Sequence, residues 1–204
     1  MYIQHCVKGI AGPGQSGPGI SEEEARAIVD GAHGIRSNWW RAVHTITPAE
    51  VAQILTETNL DRHLHDYDRY GAHTPFISLS CGSVERDAVV RHNFVYAAID
   101  IALMFATEDW SRPGALFFCW VPTSFNRSVA LGAVAEPVRD ITIYQRWSPF
   151  QLEGEITAKV HIPANQIARV EWWDGAHSQR RPVWWLDNAG FVSPDALSNI
   201  RELF

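Results

Sequence analysis

Apolar and polar residues alternate through residues 151–163, QLEGEITAKVHIP. Leu152, Ile156, Ala158, Val160 and Ile162 are apolar or small, and Glu153, Glu155, Thr157, Lys159 and His161 between them are polar. That period predicts a half-buried strand. Residues two apart in a strand point the same way, so Glu153 and Glu155 stand together on one face, where like charges repel. TPFISLS reads as a short strand opened by Pro75, and GALFFCWVP, almost wholly apolar, as a central one. RVEWWDG and RPVWWLDN predict two more strands joined by a turn near Asp174-Gly175. DITIYQRWSPF predicts a weak strand running into an aromatic loop. NWWRAVHTI is β-rich and is expected to open the main domain.

Helical signals come mostly earlier. Ser21 with Glu24 three residues on forms a capping box and predicts a helix over EEEARAIVDGAH, stopping near Gly31 or Gly34. Thr47, Pro48 and Glu50 make a second such start, predicting a helix over residues 48–57. NFVYAAIDIALMFATE has apolar residues on most faces and reads as a largely buried helix. SPDALSNIRELF, with Ser193 as N-cap and Pro194 in first position, predicts a terminal helix. NLDRHLHDYDRYGAH reads as a charged, His-rich loop. KGIAGPGQSGPGI, rich in Gly and Pro, reads as a flexible linker, so residues 1–20 are expected to be an N-terminal arm ahead of one domain over 21–204. Helices early and strands late indicate an α+β fold, not a regular βαβ alternation.

Composition narrows the classes. The chain has 204 residues, 46% hydrophobic and 20% charged, with a formal net charge of −6. It can build a sizeable core, and it lacks the basic footprint of a general nucleic-acid binder. Cys6, Cys81 and Cys119 are odd in number and far apart, which argues against a disulfide framework or a zinc site. Residues 1–20 show no signal-peptide architecture, and no apolar run reaches membrane-spanning length, so the expectation is no membrane and a cytoplasmic setting or a specialised export route. The nine Trp, several in pairs, read as core and cleft walls, with Trp110, Trp172 and Trp173 in the core. A metal site from His63, His65 and Asp66 lacks a fixed ligand spacing, and no metal is expected.

Three pieces fall in order: WWRAVHTITPAEV, with Arg41 shortly before a capped helix; FISLS; and Glu153-Gly154-Glu155-Ile156 followed by Ile162-Pro163 and Gln166-Ile167. Together they resemble the Arg/Ser-x-Ser/Glu class of mono-ADP-ribosyltransferases, the group of cholera toxin and its relatives, over residues 38–175. NLDRH resembles that family's loop carrying an active-site His. Leu79 replaces the usual Thr between the serines, and Trp40 the usual Tyr before the Arg.

The resemblance implies a split β-sandwich with flanking helices and a central NAD cleft. It implies NAD as substrate and a macromolecular acceptor, and as partner a neutralising antitoxin or immunity protein. Arg41 would bind NAD and brace the site. Ser78 would orient the catalytic Glu and touch NAD, and Ser80 would support the strand turn. Glu155 would stabilise the oxocarbenium-like state, and Glu153 would orient or deprotonate the incoming nucleophile. His63 best matches the cleft His, with His65 and His73 competing. Trp147 and Phe150, just before the two glutamates, would meet the target. A Glu at position 153 goes with arginine acceptors in that family. A shifted register, Gln151-Leu152-Glu153, would give the Gln form, but the Ile-Pro and Gln-Ile spacing fits Glu155. ADP-ribosylation of a nucleic acid, NAD hydrolysis, a paired-carboxylate glycosidase and a silent binding module stay open as alternatives.

Overall fold

A computed structural model describes residues 2–15, 19–31, 33–43, 46–81, 91–123, 136–137, 155–175, 181–196 and 201–202. Its organising element is β1 (Tyr2–Ala11), which pairs over its whole length with β4 (Gly114–Thr123), antiparallel, from Tyr2↔Thr123 to Ala11↔Gly114. The expected flexible arm is therefore instead a central strand through Ala11. Of the Gly and Pro that suggested a linker only Gly9 lies within β1, and Ile3, Val7 and Ile10 supply the β-branched residues a strand favours.

Around β1 and β4 lie β3 (Phe76–Ser80), β5 (Glu136–Pro137), β6 (Glu155–Lys159), β8 (Ile167–Trp173), β9 (Trp184–Asp187) and β10 (Arg201–Glu202), in one mixed, mostly antiparallel sheet of order β5-β6-β3-β1-β4-β8-β9, with β10 parallel to β1. A separate ribbon pairs β2 (Ile35–Arg36) with β7 (His161–Ile162). The large sheet has a seam. β1 and β3 share a single pair, Val7↔Ser80, whereas β3 and β6 share five.

Alternation assigns each strand two different jobs. Cys6, Ile77, Leu79, Phe117, Cys119, Ile156, Ala158, Val170 and Trp172 face one way and bury against α1 (Glu22–Asp30), through Ala25 and Val29. Val7, Leu116 and Trp173 face the other way and bury against α6 (Arg91–Ala106), through Ala102, Leu103 and Ala106. Gly9 and Gly114 let α6 lie this close, because a Cβ on either would collide with the carbonyl of Ala102 or Ala106. The Ser21/Glu24 capping box starts α1, and the Thr47/Glu50 box starts α3 (Pro48–Ile54).

Three expectations fail for local reasons. NWWRAVHTI does not open a strand. Residues 38–42 form α2 (Asn38–Ala42), because the Ser37 side chain accepts a hydrogen bond from the Trp40 N–H and starts a helix. NLDRHLHDYDRYGAH is not a loop either. It forms α4 (Glu57–His65) and α5 (Tyr67–Tyr70), then a 3-10 turn over Gly71–His73. Thr56 caps α4, and Leu60, His63 and Leu64, spaced i, i+3, i+4, make one buried face against Phe76. The predicted terminal helix is a 3-10 turn at Pro194–Ala196, and residues 201–202 pair with β1. DITIYQRWSPF lies outside the described residues.

Candidate active site at the sheet seam

Opposed residues on antiparallel strands share a face, as do residues two apart on one strand. The pairs Ser78↔Thr157 and Ser80↔Glu155 therefore place all four on one face, opposite the face that buries Ile77, Leu79, Ile156 and Ala158. The alternation in EITAK is real, but its polar side does not look into water. Thr157 and Lys159 are buried there, and α4 covers part of it.

α4 brings in His63. Its Nε2 lies 2.8 Å from Ser78 Oγ and 3.9 Å from Glu155 Oε1, and its Nδ1 lies 2.9 Å from Thr74 Oγ1. Thr74 Oγ1 also accepts the Phe76 N–H, which frees its own hydrogen for Nδ1. The network then assigns Nε2–H as donor to Ser78, leaving the serine hydroxyl to donate onward. The His63 side chain is 1% exposed and that of Glu155 17%. Glu155 is thus enclosed on most sides but open on one, and His63 is wholly internal.

Burial, and secondarily the positive charge of Lys8, push the His63 pKa down to about 3. The imidazole is neutral at ordinary pH, so its contact with Glu155 is no salt bridge. It orients hydroxyls by hydrogen bonding and carries no charge. The folded pKa lies below the unfolded value near 6.5, so between these values the unfolded chain binds the proton and the folded chain does not. Stability present above pH 6.5 is therefore lost as pH falls. Urea denaturation is expected to show a loss of about 1.5 kcal/mol from this group between pH 6.5 and pH 5. A His63→Gln variant, which keeps hydrogen bonds but cannot titrate, should lose less over that interval. An equal loss in both proteins contradicts a neutral His63.

β1 contributes Lys8, one residue past the Val7↔Ser80 seam pair, while Ser80 also pairs with Glu155. Dehydration lowers the Lys8 pKa, and the opposing charge of Glu155 raises it in part. A half-buried ammonium that feels the charge of one carboxylate is suited to an anion. Cys81, next to Ser80, has its thiol pushed up to about 12 by burial and by Glu155, and burial with the adjacent Cys119 sulfur raises Cys6. Cys6 Sγ lies 3.6 Å from Cys119 Sγ, and the raised Cys6 and Cys81 thiols are poor nucleophiles.

The sequence-derived candidates separate in space. His63, Ser78 and Glu155 come together, with Ser80 beside Glu155 in register. His65 is exposed and faces Asp61 at 3.8 Å, and His73 is exposed in the 3-10 turn. Arg41 is on α2, half-exposed, 3.5 Å from Glu24, and the structure gives it no contact with the cluster among the described residues. Its neighbour Trp40 packs at a tilt against His161, with ring centroids 5.1 Å apart, beyond the opposite end of β6 from Glu155. Glu153, Trp147 and Phe150 lie outside the described residues. No group of three metal-ligating side chains occurs among the described residues. No helix there is long and apolar enough to cross a membrane. Sequence reasoning missed Lys8 and Thr74. The signal for Lys8 was the β-branched run in YIQHCVKGIA, masked by the glycines and prolines after it.

No known family profile matches the chain, and no curated protein does. Among solved structures, EcPltA, a pertussis-like toxin-related protein of the ADP-ribosyltransferase toxins, matches with a TM-score of 0.53 and 16% identity, covering 93% of this chain and 88% of that one. An arginine-to-lysine mutant of heat-labile enterotoxin, described by its flexible A-subunit active-site loop, aligns with a TM-score of 0.49 and 13% identity over 97% of this chain and 81% of that one. The first of these shows that the chain shares the fold of EcPltA.

Proposed function

We propose that this chain is an NAD-dependent mono-ADP-ribosyltransferase whose NAD cleft is the seam between β1 and β3. The observation that carries this reading is the placement of Glu155. Its carboxylate is open on one side, lies 3.9 Å from the neutral His63 that bonds Ser78, and feels the ammonium of Lys8 across the seam. The fold of EcPltA supports it independently.

The chemistry follows from those groups. The NAD pyrophosphate takes the cation at the seam, which is Lys8 and not Arg41. The bond from ribose C1′ to the nicotinamide nitrogen breaks, and its electron pair leaves with nicotinamide. Positive charge develops at C1′ and the ring oxygen, where the Glu155 carboxylate stabilises it. Ser78, held by His63, keeps that carboxylate in place, and Thr74 holds His63. The acceptor then attacks C1′ and gives up a proton, for which Glu153, two residues before Glu155, is the base. β3 lies between β1 and β6, so at about 4.8 Å per strand spacing the two strands are about 10 Å apart, and Lys8 and Glu155 can engage the pyrophosphate and the ribose of one NAD.

The presence of Glu153 favours a protein arginine as acceptor over a nucleic acid or water. Incubation of the purified chain with adenylate-labelled NAD and a whole-cell extract tests this. Label on protein, removed by neutral hydroxylamine as expected for an arginine linkage, is the predicted result. Label on RNA or DNA, or only in free ADP-ribose, overturns the acceptor assignment but leaves the site standing. In the same assay Glu153→Gln is expected to cut transfer about 10²-fold, within the usual range for a general base, while nicotinamide release persists. Equal loss of both activities contradicts the separate roles of the two glutamates.

A further inference from the structure

We infer that Thr157 is a positioning residue of this site: its hydroxyl, unpaired among the described residues, donates to Ser78 Oγ when NAD binds and so fixes the serine that holds Glu155. The inference rests on the function proposed above. It adds a residue that acts through Ser78 without touching substrate.

Thr157 is 1% exposed, and its Oγ1 has no hydrogen-bond partner among the described residues. A hydroxyl that gives up water and gains no partner costs free energy, and folded proteins keep few such groups. Gln4 and Gln166 also bury such an oxygen, but Gln4 pairs in register with Val121 and Gln166 lies in a 3-10 turn. Thr157 pairs with Ser78, inside the cluster of His63, Ser78 and Glu155. Packing does not need the oxygen. Valine has nearly the same shape, and strands favour it.

Strand pairing sets that oxygen beside Ser78. The Val160 N–H donates to the Pro75 carbonyl at 2.7 Å, which makes these two residues a hydrogen-bonded position of the ladder between β3 and β6. Bonded and non-bonded positions alternate along an antiparallel pair. Ser78↔Thr157, three steps on, is therefore a non-bonded position, where Cα atoms are about 4.5 Å apart and side chains lie closest. Ser78 has an acceptor site to spare. A serine hydroxyl carries one hydrogen and two lone pairs, and the His63 Nε2–H occupies one lone pair. The hydrogen serves Glu155, which leaves the second lone pair for Thr157. Hydrogen bonds at active sites are often long before substrate binds and tighten in the complex. The closed chain runs from Thr74 O–H to His63 Nδ1, from His63 Nε2–H and Thr157 O–H to Ser78 Oγ, and from Ser78 O–H to the Glu155 carboxylate. Held from two sides, the serine cannot turn away from the carboxylate as charge develops at C1′.

Thr157→Val removes the oxygen at nearly constant shape. The kcat for nicotinamide release is expected to fall about three- to tenfold, the scale of one hydrogen bond, with the KM for NAD unchanged. The melting temperature without NAD should stay the same or rise, because the hydroxyl removed was an unpaired one. Thr157→Ser keeps the oxygen and should restore kcat. An unchanged kcat in Thr157→Val, a lowered melting temperature in that variant, or an equal fall in Thr157→Ser overturns the assignment of Thr157 while leaving the proposed site intact. No nicotinamide release by the unaltered protein overturns the proposed site and this assignment with it.

Discussion

Replacing Glu155 by Gln is expected to lower nicotinamide release and ADP-ribose transfer together, by about 10³-fold, with a range of roughly 10² to 10⁴ for loss of one charge-stabilising group. The substitution is nearly isosteric and removes only the negative charge. The site needs that charge twice. It stabilises the developing oxocarbenium, and it helps keep the dehydrated Lys8 ammonium protonated. A side chain 17% exposed and not packed in an apolar cluster should tolerate the change, so a thermal melt within about 1 kcal/mol of the unaltered protein is the companion expectation. Assaying both activities on the same preparation separates loss of chemistry from loss of fold. Retention of turnover in a folded Glu155→Gln protein is incompatible with the role given to this carboxylate.

The second large effect concerns Lys8. Lys8→Met is expected to weaken NAD binding about 10- to 100-fold, the scale of a lost charge-assisted contact. Lys8→Arg should restore most of it, and Arg41→Ala should leave binding unchanged. The stability result should run the other way. Burial already disfavours the Lys8 ammonium, so an apolar replacement removes a desolvation cost and should leave the melting temperature equal or higher. Loss of function without loss of stability marks a residue kept for its ligand. The pH dependence has a fixed sign. Anion binding needs the protonated amine, and the folded pKa lies below the ordinary lysine value. NAD binding should therefore weaken as pH rises through that lowered pKa, and should do so at lower pH than in Lys8→Arg. Binding that depends on Arg41 and ignores Lys8 returns the cation to the position that the sequence motif suggested.

That contrast shows where the sequence was informative. The segment around Glu155 was legible because two signals of different kind coincide there, a period-two strand and the Ile-Pro and Gln-Ile spacing after it. The FISLS strand pairs with it as β3 with β6, and the register sets Ser80 opposite Glu155. The capping boxes at Ser21 and Thr47 were legible because an N-cap is a local hydrogen-bond pattern that needs no tertiary partner. What was hidden depends on tertiary context. Trp39, Trp40 and Val43 have strand propensity, yet one hydroxyl, Ser37, turns the segment into a helix and carries Arg41 away from the site. The charge of NLDRHLHDYDRYGAH suggested a loop, while three residues on one face, Leu60, His63 and Leu64, suffice to bury a helix. Lys8 has no motif. It is placed by a seam between strands more than sixty residues apart in sequence.

The central claim is that Glu155, His63, Ser78 and Lys8 form one site that cleaves NAD. Incubating the purified chain with NAD labelled in the nicotinamide ring, and measuring free nicotinamide, tests it most directly. The account predicts steady release by the unaltered protein, abolished in Glu155→Gln. No release, together with no NAD binding by a folded protein, would contradict it.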